Sequence, residues 1–172
     1  MNKSLIKKIN NNSAVIGILG LGYIGLPLAI RFAEAGFKVL GFDIDKNKIK
    51  TLKKGESYID YIQSSKIIKL LKKNFEVTND FSKSIKADAL IVCVPTPLQK
   101  NKKPDLSFVI NTLKLLKPYL RKNQVLSLES TTYPGTTEEI ILPHIKKGGF
   151  KVGEDFFLVY SPEREDPGNS KY

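Results

Sequence analysis

Short apolar-rich runs punctuate the chain, and between them the apolar positions change to a spacing of three or four residues. Residues 14–19 are apolar, end at Gly20 and predict a strand. Residues 23–35 then carry Leu28, Phe32 and Ala35 on one face and predict a helix closed by Gly36. A second apolar strand is expected over 37–42, ending at Asp43. Asp45 is placed to cap a short helix running through Ile49 and Leu52 to Gly55, and residues 64–73 offer another stripe in Ile67, Ile68, Leu70 and Leu71. Residues 75–78 read as a short strand. Residues 87–94 form a continuous apolar run, the pattern of a strand buried on both faces of a parallel sheet, and stop at Pro95-Thr96-Pro97. After a lysine-rich loop, Asp105 caps a helix with Leu106, Val109, Ile110, Leu113 and Leu116 on one face. Residues 124–128 are the next strand. Thr136 with Glu139 predicts a capping box for a helix that Pro143 should kink or end, and 156–160 is the last strand.

Such alternation of strand and helix predicts an α/β fold, a Rossmann-like doubly wound, mostly parallel sheet flanked by helices, because a parallel return requires a crossover. At 172 residues the chain is about one domain long, with a core expected over roughly 14–160.

Charge changes the picture less than its size suggests. The formal net charge is +11, which favours anionic partners, yet 25 of the 28 basic residues are lysines scattered among Asn and Ile. Grooves that read nucleic acid favour the bidentate fork of arginine, so no nucleic-acid partner is expected. Residues 14–30 are uncharged and follow Lys7 and Lys8, but Gly17, Gly20, Gly22, Gly25 and Pro27 make them a poor membrane span, and no membrane partner is expected either. One cysteine, Cys93, excludes an intramolecular disulfide and a cysteine-based zinc site and fits a reducing cytoplasm; with a single histidine, His144, no metal site is expected.

The chemistry concentrates in Gly20-Leu21-Gly22-Tyr23-Ile24-Gly25, a G-x-G-x-x-G between the first strand and the first helix. Gly20 permits the tight turn, Gly22 lets the backbone approach a diphosphate, and Gly25 allows close packing of helix on strand. The helix start supplies free N–H groups and a positive dipole end. Asp43 lies 23 residues after Gly20, where a carboxylate would accept the adenosine ribose hydroxyls. That acid favours NAD over NADP, since a 2′-phosphate would meet its charge, with Lys48 close by to offset part of the repulsion. The fingerprint alone still admits FAD or S-adenosylmethionine, or glycines that serve packing only.

Several segments taken together resemble the nucleotide-sugar 6-dehydrogenases of the UDP-glucose and GDP-mannose dehydrogenase group: GLGYIGLPLA at 20–29, FDID at 42–45, SYI at 57–59, VPTP at 94–97, ESTTYPGTTEE at 129–139 and SPEREDPGN at 161–169. The SYI and SPEREDPGN segments look most like the UDP-N-acetylglucosamine 6-dehydrogenase branch; the UDP-glucose branch usually has Phe where this chain has Arg164. The resemblance implies oxidation of the sugar C6 alcohol to a carboxylate with two NAD, through an aldehyde and a cysteine thioester. It assigns cofactor binding to Gly20, Gly22, Tyr23, Ile24, Gly25, Asp43 and Lys48, and to Val94, Pro95, Thr96, Thr131 and Thr132 around the nicotinamide. Thr132 would position the hydrolytic water and Glu163 would act with it, while Glu163 and Arg164 would touch the sugar substrate, a UDP-N-acetylhexosamine.

Read without the resemblance, Thr132 is a strand-end residue bonding its own loop and Glu163 a solvated loop charge. Family members continue through a linking helix into a second domain bearing the nucleophilic cysteine, and this chain ends at Tyr172, so it is expected to bind NAD without turnover and to oligomerise with itself only when full length. Cys93 sits in an apolar strand, where a thiol behaves as a small hydrophobe. The competing reading is a stand-alone nucleotide-binding or sensing module.

Overall fold

The computed structural model describes residues 3–100 and 103–162. Its strands are β1 (Val15–Leu19), β2 (Lys38–Phe42), β3 (Phe75–Thr78), β4 (Ala89–Val92), β5 (Gln124–Leu128) and β6 (Phe156–Tyr160), all parallel in one sheet of order β3-β2-β1-β4-β5-β6. This is the doubly wound arrangement expected. The helices are α1 (Lys3–Asn10), α2 (Gly25–Glu34), α3 (Lys46–Lys53), α4 (Ser64–Leu71), α5 (Ser107–Leu116) and α6 (Leu142–Lys147).

Strand alternation sends successive side chains to opposite faces and so builds two cores. Val39, Val77 and Ile91 meet Leu26, Ala29, Ile30 and Ala33 of α2, together with Ile49, Leu52, Ile67 and Leu70 of α3 and α4. Leu40, Phe42, Leu90, Val92, Leu126 and Leu128 pack on the other face against Val109, Leu113 and Leu116 of α5 and Ile145 of α6. In the middle of β1, a Cβ on Gly17 would lie 2.8 Å from the Leu90 side chain, so glycine lets that face close.

Element ends differ from the sequence reading by a few residues, as helix fraying and strand splaying allow. Four differences have causes worth naming. The N-terminal helix α1 has no counterpart among the elements expected from the sequence, because it is short and lysine-rich with Leu5 as its one buried residue. A 3₁₀ segment, Phe81–Lys86, was likewise absent from the sequence reading; it bridges β3 to β4, and Asp80 caps it through the Ser82 N–H. The capping box is not formed. Thr136 Oγ1 instead donates to the Tyr133 carbonyl, and Glu139 receives the Tyr133 hydroxyl at 3.0 Å. Finally, Pro143 neither ends the helix nor stands in its middle, because a π-helical turn (Thr137–Ile141) precedes it and α6 carries on to Lys147. The wider turn takes up the register where proline has no N–H to give.

Among the described residues, Asp88 is the one deeply buried carboxylate at the amino end of the sheet. It accepts the Val15 N–H at 3.0 Å, the Lys8 ammonium at 3.0 Å and the Arg121 guanidinium at 2.9 Å, tying α1, β1 and the start of β5 to β4. Burial opposes ionisation, but the Val15 N–H, Lys8 and Arg121 outweigh it and hold the pKa below the usual carboxylate value. Asp88→Asn is therefore expected to cost about 2 kcal/mol, the scale for hydrogen bonds to a charged group. A folded pKa below the unfolded value of about 3.9 means that this contribution is complete above that pH and lost as pH falls through the folded pKa. Denaturation at pH 7 and again below pH 4 should show the gap between wild type and variant narrowing in acid. Equal stabilities at pH 7 would contradict the role given to Asp88.

Candidate functional site

Between β1 and β4 the chain's direction of travel across the sheet reverses, and loops leaving the carboxyl ends of the two strands part to leave a crevice. The cleft there has a volume of about 630 Å³. Gly20, Gly22, Tyr23 and Ile24 form one wall, Asp43, Ile44, Asp45 and Lys48 a second, and Val94 and Pro95 a third, with Cys93 at the floor.

The glycine loop is built by contact on every side but one. Gly20 has φ +92°, where a side chain is strained, and a Cβ there would sit 2.8 Å from the Cys93 carbonyl oxygen. A Cβ on Gly25 would lie 1.8 Å from the Gly20 carbonyl oxygen, so α2 starts in direct contact with the turn. Gly22 is the opposite case: a Cβ there meets nothing within 4 Å and would project into open space along the cleft. Among the described residues, the backbone N–H groups of Gly22, Tyr23 and Ile24 have no protein acceptor. Unpaired donors at a helix start are where an anion binds.

Asp43 is 7% exposed at the end of β2. One carboxylate oxygen accepts the Leu21 N–H and the other the Asp45 N–H, each at 2.9 Å, and Lys48 Nζ stands 3.8 Å away. A carboxylate has about four lone-pair sites, so lone pairs remain after those two bonds. Asp45 caps α3 as the sequence suggested, through the N–H groups of Asn47 and Lys48.

The loops after β4 and β5 are stitched together. Ser130 Oγ donates to the Val94 carbonyl at 2.6 Å and Thr96 Oγ1 to the Thr131 carbonyl at 2.7 Å. Thr96, Thr131 and Thr132 do not line the cleft itself. The Thr132 hydroxyl lies 3.5 Å from that of Tyr160, across to the end of β6 rather than within its own loop. Glu163 and Arg164 lie outside the described residues. Cys93 is buried, consistent with a packing role, and His144 Nδ1 lies 2.7 Å from the Ile140 carbonyl in the π-helical turn that precedes α6.

Sequence reasoning missed the apolar side of the cleft. Phe81, Phe108, Asn111, Thr112 and Leu115 line it, and Ile44, Phe108 and Leu115 are exposed despite their size. A signal was available: Phe108, Asn111 or Thr112, and Leu115 recur at helical spacing as a second stripe on α5, beside the buried stripe of Val109, Leu113 and Leu116. Large exposed apolar side chains gathered on one cleft mark a binding groove.

These residues fit a dinucleotide. The open side of Gly22 and the free N–H groups suit a diphosphate, the unfilled lone pairs of Asp43 suit ribose hydroxyls, and the apolar side suits a flat base. A second and larger cleft, of about 1010 Å³, lies over α2 and α4 between Arg31, Glu34, Lys66 and Lys69. It offers no strand end and no glycine turn, and Glu34 there is already paired with Lys66 and Arg31. Among the described residues no group of side chains could hold a metal ion, and no helix is long and apolar enough to cross a membrane.

Comparison with known proteins agrees with this geometry. Residues 14–172 match the UDP-glucose/GDP-mannose dehydrogenase family, NAD binding domain. The chain is 40% identical over 162 residues to Protein CapL of Staphylococcus aureus, covering 94% of this chain and 37% of that protein. It is 35% identical over 158 residues to the UDP-N-acetyl-D-glucosamine 6-dehydrogenase of Pseudomonas aeruginosa, covering 91% of this chain and 37% of that one. Among solved structures, the UDP-D-ManNAc dehydrogenase of Pyrococcus horikoshii superposes with a TM-score of 0.82 at 34% identity, over 90% of this chain and 37% of its own. The chain thus spans a little over a third of the length of the curated relatives it matches.

Proposed function

Since the chain belongs to the UDP-glucose/GDP-mannose dehydrogenase family and is its NAD-binding domain, we propose that it is the cofactor-binding part of an enzyme that oxidises the C6 alcohol of a UDP-N-acetylhexosamine to a carboxylate. The observation that carries the proposal is the glycine loop with unpaired N–H groups beside Asp43, at the β1/β4 crevice. Named relatives acting on UDP-N-acetyl-D-glucosamine and UDP-N-acetyl-D-mannosamine support the sugar class.

In this reading NAD, when bound, accepts the hydride from the sugar carbon. The N–H groups of Gly22, Tyr23 and Ile24 hold its diphosphate, and Asp43 with Lys48 beside it receives the adenosine ribose. Val94 and Pro95 border the nicotinamide end, with Thr96 and Thr131 bonded to each other behind them. Taken as a whole, the change from alcohol plus water to carboxylate would give up two hydrides, accepted by two NAD in turn, and three protons, with the second carboxylate oxygen coming from water. Thr132 would orient that water and Glu163 accept its proton, with Glu163 and Arg164 facing the sugar. Cys93, only 8% exposed at the cleft floor and packed against the glycine turn, would not serve as the nucleophile of a covalent intermediate. The chain by itself should therefore bind NAD without turning substrate over, and the full-length enzyme, which we take to be a cytoplasmic homo-oligomer, should complete the reaction.

Following NADH absorbance while the full-length protein meets NAD and each of UDP-N-acetylglucosamine, UDP-N-acetylmannosamine and UDP-N-acetylgalactosamine tests the proposal. One sugar is expected to give two NADH per molecule consumed. Silence with all three would defeat the substrate assignment.

Asp43 supplies a sharper expectation on the chain itself. Asp43→Ala removes the ribose acceptor and also releases the Leu21 N–H, so NAD should bind about 10- to 100-fold more weakly, and the preference for NAD over NADP should shrink with the lost charge. Calorimetric titration of both cofactors into wild type and variant is the check. An unchanged NAD affinity would remove Asp43 from the site.

A further inference from the structure

The glycine loop does not hold its own direction. Every peptide bond described is trans, so within each peptide unit the C=O and N–H point opposite ways. A side chain that grips a carbonyl therefore also aims the N–H on the far side of the same unit.

Two tyrosines from the turn before α4 do this. The Tyr58 hydroxyl donates a short hydrogen bond to the carbonyl of Leu21, whose unit carries the Gly22 N–H. The Tyr61 hydroxyl donates to the carbonyl of Tyr23 at 3.3 Å, whose unit carries the Ile24 N–H. The Tyr23 carbonyl is available because Pro27, four residues on, has no N–H to offer it. Asp43 completes the set by holding the N–H of Leu21, and so the unit just before.

We infer that Tyr58 and Tyr61 are positioning residues that aim the diphosphate-binding N–H groups of Gly22 and Ile24 into the cleft by holding the carbonyls behind them. The inference rests on the dinucleotide lying across this loop. Tyr58 is not part of the cleft lining and reaches the cofactor only through the backbone it grips. The unit it grips is the one most in need of restraint, because glycine at position 22 leaves the Leu21–Gly22 peptide free to rotate where a bulkier residue would not.

The turn that carries both tyrosines is a fixed platform. Ile59 and Ile62 are buried in the core, and Ser57 spans the turn with its hydroxyl on the Ile59 carbonyl and its N–H on Ser64. Tyr58 also stays a donor. Burial above all, and then the Asp43 and Asp45 carboxylates, push its hydroxyl far above the usual tyrosine pKa. Lys48, 5.8 Å from the centre of its ring, links the same tyrosine to the charge at the ribose end of the site.

Tyr58→Phe in the full chain separates aiming from general support. NAD and ADP-ribose, which carry the diphosphate, should each bind about tenfold more weakly by calorimetry, the weight of about one well-formed hydrogen bond. Adenosine, which lacks phosphate, should bind as to wild type by ligand-observed NMR. Tyr61→Phe, at an exposed side chain, should show the same pattern with a smaller loss, and it decides the matter if Tyr58→Phe does not fold. Unchanged NAD binding in both variants would overturn the inference, as would an equal loss for NAD and adenosine, which is the mark of a damaged fold. A wild-type chain that binds adenosine but gains nothing from the diphosphate would instead remove the premise about the loop, and this inference with it.

Discussion

Gly22→Val is expected to abolish NAD binding and leave the domain folded. Nothing in the protein lies within 4 Å of the position a Cβ would take at Gly22, so the valine meets no protein wall at its branch point and the native state loses no packing. Its two methyl groups instead occupy the mouth of the cleft beside the N–H groups of Gly22, Tyr23 and Ile24. Those donors act on a diphosphate only if the phosphate oxygens come to about 2.7–2.9 Å, and a branched side chain keeps them farther away. The loss compounds steric exclusion with several missing charge-assisted bonds, so affinity should fall by at least about 1000-fold, or roughly 4 kcal/mol. Thermal melting should stay close to wild type while calorimetry shows no heat of binding. A variant that binds NAD normally would mean that the diphosphate lies elsewhere.

Gly25→Ala, three residues along the same motif, should do the reverse. Its Cβ would stand 1.8 Å from the Gly20 carbonyl oxygen and 3.0 Å from the Gly20 carbonyl carbon. Neither is the end of a flexible side chain. The Gly20 turn is itself backed against the Cys93 carbonyl, with a φ of +92° that few residues other than glycine adopt, so it has nowhere to retreat. Relief requires lifting the start of α2 off β1, which would open contacts made by Leu26 and Ala29, both fully buried. A cost above about 4 kcal/mol is expected, exceptional for one methyl group and a large part of the roughly 5–15 kcal/mol that holds a domain together. Chemical denaturation is the measurement. A variant within about 1 kcal/mol of wild type would show that helix and turn are less tightly joined than their geometry requires.

The contrast between these two glycines marks what could be read from the sequence and what could not. The motif places both, and with Asp43 it locates the site, because all three belong to one β-turn-α-β stretch whose signals are local. The parallel, doubly wound sheet followed from the same local alternation, whereas the order of its strands is a long-range property that the alternation does not carry. Contacts made over long distances in the chain were hidden. Tyr58 meets Leu21 across 37 residues and Lys8 meets Asp88 across 80, and no periodicity records either pairing. Thr136 and Glu139 mislead for a related reason. Their spacing is that of a capping box, but Tyr133 offers each a closer partner and the turn between them winds as a π-helix. The apolar wall from α5 lay in plain view as a stripe, yet a stripe alone does not say whether it faces a core or a ligand. The charge of +11 pointed at anions in general and located nothing.

NAD is expected to lie across the glycine loop at the β1/β4 crevice rather than in the larger cleft over α2 and α4. Titrating the isotope-labelled chain with NAD and following its amide proton–nitrogen spectrum tests this directly, since an amide that gains a phosphate acceptor shifts strongly. The largest shifts are expected at the N–H groups of Gly22, Tyr23 and Ile24, with smaller ones at Asp43 and Lys48 and little change at Arg31, Lys66 and Lys69. Shifts concentrated on those last three residues, with the glycine loop unmoved, would contradict it.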